Sequence, residues 1–213
     1  MLKIIAVVVL LLIAVVLGIA ATKPDTLHVQ RTATIHAPPE KIFPLINDYR
    51  SWTAWSPYEK IDPAMKRTYS GAPAGTGAVY EWEGNRKVGK GRMETTDVTS
   101  PSHITIKLDF LEPFEAHNTA EFTLAPRGDS TDVTWTMHGP SNFMSKVIDV
   151  FVDMDKMIGK DFEEGLTNLK RVSEAKRAAA ATAAAVPPPA PAGEPAKEPA
   201  SAPTKDPAPA KAK

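Results

Sequence analysis

Two periods of apolar residues run along this chain, and they divide it into a strand-forming part and a helix-forming part. Between 143 and 169, Phe143, Met144, Val147, Ile148, Phe151, Met154, Ile158, Phe162, Leu166 and Leu169 fall at steps of one, three and four. That spacing predicts one long helix over 141–171 with a broad apolar stripe. Lys146, Asp149, Asp153, Lys156, Lys160 and Glu164 fall on the opposite side and are expected in water. Ser141 is placed to cap the first free amides, and Pro140 ends the preceding segment.

Upstream the period is two. Over 26–36, Leu27, Val29, Ala33 and Ile35 alternate with polar residues, as in a half-buried strand. Pro38-Pro39-Glu40 opens a short helix over 41–47, because proline is tolerated in a first turn. Asp48 or Ser51 caps a second short helix, which carries Trp52 and Trp55 and ends at Pro57. Strand patterns then recur over 65–70, 78–83, 90–99, 104–111, 115–124 and around 133–137, separated by turns rich in Gly and Pro. A run of strands closed by a long helix predicts an α+β domain in which a curved antiparallel sheet wraps around that helix. A sheet gripping a helix leaves room between the two.

The ends differ from this middle. Ile4 to Ala21 is an unbroken apolar run behind Lys3, close to the roughly 17–25 residues that cross a bilayer as a helix. Gly18-Ile19-Ala20 also offers a small-x-small cleavage site, but the run exceeds the roughly 7–15 residues of a signal core, which favours a retained anchor. A count of Lys23, Arg31 and Lys41 after the run would keep the domain cytoplasmic. The signal-like order, charge first and apolar run second, instead places it on the far side of the membrane. Residues 178–213 are Ala-, Pro- and Lys-rich with no apolar periodicity, and read as a disordered tail that either does nothing for ligand chemistry or contacts the envelope. The expected division is an anchor or signal over 1–24, one domain over 25–177 and a tail over 178–213.

Composition excludes more than it assigns. Lys plus Arg and Asp plus Glu are 25 each in 213 residues, without the basic stripe a nucleic-acid surface needs. With no Cys there is neither a disulfide nor a thiolate ligand. His28, His36, His103, His117 and His138 are scattered, and no spacing assembles three metal ligands. No hydrolase elbow, phosphate loop or cofactor fingerprint is present, so no cofactor is expected.

The stretches TATIHAPPEKIFPLINDYRSWTAWSPYE, GTGAVYEWEGNRKVGKGRMETT and ITIKLDFLEPFEAHNTAEFTL resemble the START-like (SRPBCC) superfamily, most of all its bacterial polyketide cyclase/dehydrase branch. TDVTWTMHGPSNFMSKVIDVFVDMDKMIGKDFEEGLTNLK continues the likeness, which covers roughly residues 27–172. The resemblance implies a helix-grip fold with a hydrophobic cavity between sheet and helix. Its members include lipid carriers, hormone receptors, plant allergens and polyketide cyclases, so it leaves function open.

Strand and helix parity then name the candidate cavity residues: Tyr80, Trp82, Met93, Ile106, Leu108, Asn118, Phe122 and Trp135 from the sheet, and Met144, Phe151, Met154 and Ile158 from the helix. Asn118 stands out as a polar residue between inward Ala116 and Ala120, and burying it requires a partner or a ligand. Trp52 and Trp55 either gate the mouth or staple the short helices to the sheet. Arg92, Glu94, Glu81, Asp109 and Glu115 are charged strand residues whose alternation puts them on the solvated face, although a cyclase would need such a group near its substrate. Three functions remain: a membrane-tethered module binding a small hydrophobic or lipid-like molecule, a cyclase-like enzyme, and an envelope protein acting through its tail.

Overall fold

In a computed structural model, residues 1–185 are described, with side chains to residue 175. The chain runs as α1 (Leu2–Thr22), β1 (Thr26–Ile35), α2 (Pro39–Asn47), two 3-10 helices (Tyr49–Ala54 and Pro57–Lys60), and β2 (Lys66–Gly71). It continues through β3 (Ala78–Glu83), β4 (Lys90–Thr99), β5 (His103–Glu112), β6 (Ala116–Arg127), β7 (Ser130–Pro140), α3 (Phe143–Phe151) and α4 (Met154–Ala185). The tail was expected from 178; residues 178–185 instead continue α4, and 186–213 lie outside the described residues.

All strand pairs are antiparallel, in the order β1-β7-β6-β5-β4-β3-β2. The register sets Ala120 opposite both Ile106 and Met137, and Phe122 opposite both Ile104 and Trp135, so one face of the sheet is continuously apolar. Helix α4 packs along β1 and against α2, and buries Phe162, Leu166 and Leu169. Arg31 of β1 fastens it, donating to Glu163 at 2.9 Å and Asp155 at 3.0 Å. Gly165 lets it come close, since a Cβ there would lie 2.8 Å from the Trp135 ring and 3.1 Å from Pro57. This is the α+β helix-grip architecture.

Four local expectations are corrected. The second short helix is two 3-10 segments, the first capped by Asp48, whose carboxylate accepts from Arg50 N at 2.9 Å. The 141–171 stripe is two helices, because Val152 is extended. Asn142, not Ser141, caps α3 by accepting from Ser145 N at 2.8 Å. Asp153 accepts from Lys156 N at 3.0 Å at the head of α4. Lys146 and Asp149 also leave the water side expected for them: Lys146 pairs with Asp25, and Asp149 accepts from Lys23 at 2.8 Å.

Candidate functional site

A cavity of about 1050 Å³ lies between the apolar face of the sheet and the first turns of α4. Its sheet wall holds Tyr80, Trp82, Met93, Leu108, Asn118 and Trp135. Its helix wall holds Met154 and Ile158, with the largely exposed Phe151 at the rim, and Phe162 stacks on Trp135 at 4.0 Å. Trp52 reaches the lining as well. Ile106 and Phe122 are fully buried behind the wall, outside the lining. Trp55 is likewise fully buried and off the mouth, and Met144 is exposed on α3 outside the cavity. The indole N–H groups of Trp52 and Trp55 donate to the Ile46 and Leu45 carbonyls, both at 2.8 Å, so these rings staple α2 and the 3-10 segment to the core.

Asn118 is buried in the wall, and its amide makes no hydrogen bond with another described residue. It fits because residue 139 is glycine: a Cβ there would meet Asn118 Oδ1 at 2.1 Å. Beyond it, between the ends of β6 and β7, a shallower groove of about 470 Å³ is lined by Lys107, His117, His138 and Pro140. There the Asp109 carboxylate, 2.7 Å from His117 Nδ1, holds the imidazole above its ordinary pKa.

The polar end of the cavity was not expected from sequence. Glu59, buried on the second 3-10 segment, accepts from the Tyr80 hydroxyl at 2.6 Å and from Arg67 Nε at 2.6 Å. Arg67 also donates to the Met65 carbonyl at 2.9 Å. Burial, and then the Glu59 carboxylate, push the Tyr80 phenol well above its ordinary range. On α4, Asp161 also lines the cavity, near Tyr58. Burial, with Glu164 nearby, pushes the Asp161 carboxyl up, and Tyr58 works against that rise. Burial also pushes the Tyr58 phenol up. The Trp135 indole N–H is buried with no partner among the described residues. The result is an apolar chamber with one tyrosine-held carboxylate, a second carboxyl on its wall, an unbonded amide and an unbonded N–H. Such a chamber can bury a small apolar molecule and orient one polar end of it. Local spacing could not have found Glu59 or Asp161, because their partners lie in other elements.

Arg92, Glu94, Glu81 and Glu115 lie off the cavity wall, with Arg92 and Glu94 paired to each other at 2.8 Å. Asp109 faces His117 and Lys107 on the outer side of the sheet. Among the described residues, no group of three His, Asp or Glu side chains converges to hold a metal ion.

A seven-stranded antiparallel sheet gripping a C-terminal helix over such a chamber defines a START-like (SRPBCC) protein. The chain belongs to the polyketide cyclase/dehydrase and lipid transport family, whose model matches residues 26–174. Similar solved structures include one from Thermobifida fusca, with a TM-score of 0.53, 19% identity, and coverage of 68% of this chain and 92% of the other. A Mycobacterium smegmatis protein gives 0.51, 20%, 72% and 95%. One from Chromobacterium violaceum gives 0.50, 16%, 71% and 99%. At these identities the likeness shows the fold. No curated protein matches the chain.

Proposed function

We propose that the chain is a membrane-tethered binding protein that holds one small hydrophobic or amphipathic molecule, lipid-like in character, in the chamber between sheet and α4. The observation that carries this reading is the cavity itself: about 1050 Å³, walled by Trp82, Met93, Leu108 and Met154, with its hydrogen-bonding groups gathered on Glu59, Tyr80, Asn118 and Asp161. The tether is α1, a 21-residue, predominantly apolar helix long enough to cross a membrane. The three-part division at 24/25 and 177/178 belongs to the same reading. So does a single-pass topology in a bacterial inner membrane with the domain on the periplasmic side, supported by Lys3 ahead of the apolar run.

The test uses the indoles in the wall. Titrating the full chain in mild detergent with a nitroxide-labelled fatty acid should quench Trp52, Trp82 and Trp135 and saturate near one equivalent. Ala120→Phe, which fills the chamber from its sheet wall, should abolish the saturable part. Quenching that never saturates, or that ignores the filled chamber, contradicts the reading.

A second reading, a cyclase- or dehydrase-like enzyme, is favoured by one observation. Asp161 is a carboxyl on the chamber wall raised by burial, as suits a general acid or base. Turnover of a polyketide-like substrate that Asp161→Asn abolishes without loss of fatty-acid binding would establish it.

A further inference from the structure

Helix α3 is built inside out. Its charged side chains face the protein: Lys146 is only 8% exposed and pairs with Asp25, and Asp149 is half-buried against Lys23. Its large apolar side chains face away, with Phe143 52%, Met144 64% and Phe151 71% exposed. In water this is the wrong way round. Each large apolar side chain left outside forgoes the free energy its burial would contribute. A nine-residue helix also has little stability of its own without a buried apolar face.

What the outward face meets follows from where α3 is tied. Both of its inward ion pairs run to Lys23 and Asp25, the residues that follow α1, and α3 also packs against α1. At 1.5 Å per residue α1 spans about 30 Å, the apolar thickness of a bilayer. A crossing α1 therefore ends at the bilayer surface near Thr22, and α3 is pinned at that depth with its apolar side outward. The end of β5 and the β5–β6 turn add exposed Leu111 and Phe114. Glu112, the last residue of β5, and Pro113 share the cavity rim with Phe151 and Met157.

We propose that α3 is an interfacial helix that seats the domain on the leaflet crossed by α1, with the rim of the chamber against the lipid. This rests on α1 being retained as the membrane tether. The ligand then enters from the leaflet without crossing water. The outward face of α3 carries no lysine or arginine, so seating depends on apolar insertion and not on anionic headgroups.

The chain has no cysteine, so single nitroxide labels can be placed cleanly. The full chain is reconstituted into phosphatidylcholine vesicles with labels at M144C, F151C or F114C. L10C, mid-α1, is the lipid reference. R127C, on the β6–β7 hairpin at the other end of β7 from Pro140, is the water reference. The expected result is a ratio of oxygen to nickel-chelate collisions at 144, 151 and 114 several-fold above that at 127 and approaching that at 10. Water-like ratios on α3 with a lipid-like ratio at 10 overturn the seat and leave the tether standing. A water-like ratio at 10 overturns both. Shielding of the α3 labels from both reagents, growing with the protein-to-lipid ratio, shows a second copy covering the face and also overturns the proposal.

Discussion

Replacing Arg67 with Met tests how the polar end of the chamber is held together. Glu59 is 5% exposed at its side chain, and Arg67 Nε lies 2.6 Å from its carboxylate. At an effective dielectric near 20, that separation corresponds to roughly 6 kcal/mol of gross attraction, most of it offset by desolvation. Removing the cation leaves a buried carboxylate with only the Tyr80 hydroxyl as donor, and breaking a buried pair in this way costs roughly 3–5 kcal/mol. Arg67 reaches solvent over about a fifth of its side chain, so the lower end applies. The expected loss is about 3 kcal/mol, or a fall in Tm of about 6–12 °C for a chain of this size. Urea unfolding of the full chain in mild detergent, followed by fluorescence of its tryptophans, measures it. Adding Glu59→Gln should recover at least half of the loss, because a neutral amide oxygen can still accept from Tyr80. A single-variant loss below about 1 kcal/mol, or a double variant no better than the single, would refute the reasoning.

Three further outcomes follow from the same geometry. Asp161 has a carboxyl pKa raised in the fold, so its contribution to stability is fully present below the unfolded carboxyl value and is lost as pH rises through the folded one; Asp161→Asn should flatten that decline in a Tm–pH series, and an unchanged slope would contradict the placement. Gly165→Ala should destabilise by about 1 kcal/mol, because overpacking against Trp135 and Pro57 outweighs the helix-propensity gain of roughly 1 kcal/mol, and a variant as stable as the parent would show that α4 has slack. The His117 imidazole should titrate above its ordinary value by NMR and return toward it in Asp109→Asn, and an unshifted titration in the parent would mean that the His117–Asp109 contact is not kept in solution.

The sheet was legible because its strands alternate. Val29 and Ile35, then Ile104, Ile106 and Leu108, bury on the side that the period of two assigns them. The chamber wall was legible to the extent that parity sets direction, so Tyr80, Trp82, Asn118 and Trp135 share one face. Parity does not set depth, and Ile106 and Phe122 sit behind the wall. The break in the last helix was hidden by an apolar stripe that runs across it without a missed step. Asp153 was its one local sign, a capping residue ahead of the second helix. The reversal of α3 had no local sign, because Lys146 and Asp149 turn inward to meet Lys23 and Asp25, more than a hundred residues away. Glu59 was hidden for the same reason, since its burial depends on Arg67 and Tyr80 meeting it from β2 and β3.

The claim that the chamber holds a ligand is tested most directly by native mass spectrometry of the full chain released from its own membranes in mild detergent, paired with extraction of whatever it carries. The account predicts one apolar or amphipathic molecule per chain, lost from Ala120→Phe. A folded protein that is empty, with the filled-chamber variant indistinguishable from it, would contradict the account.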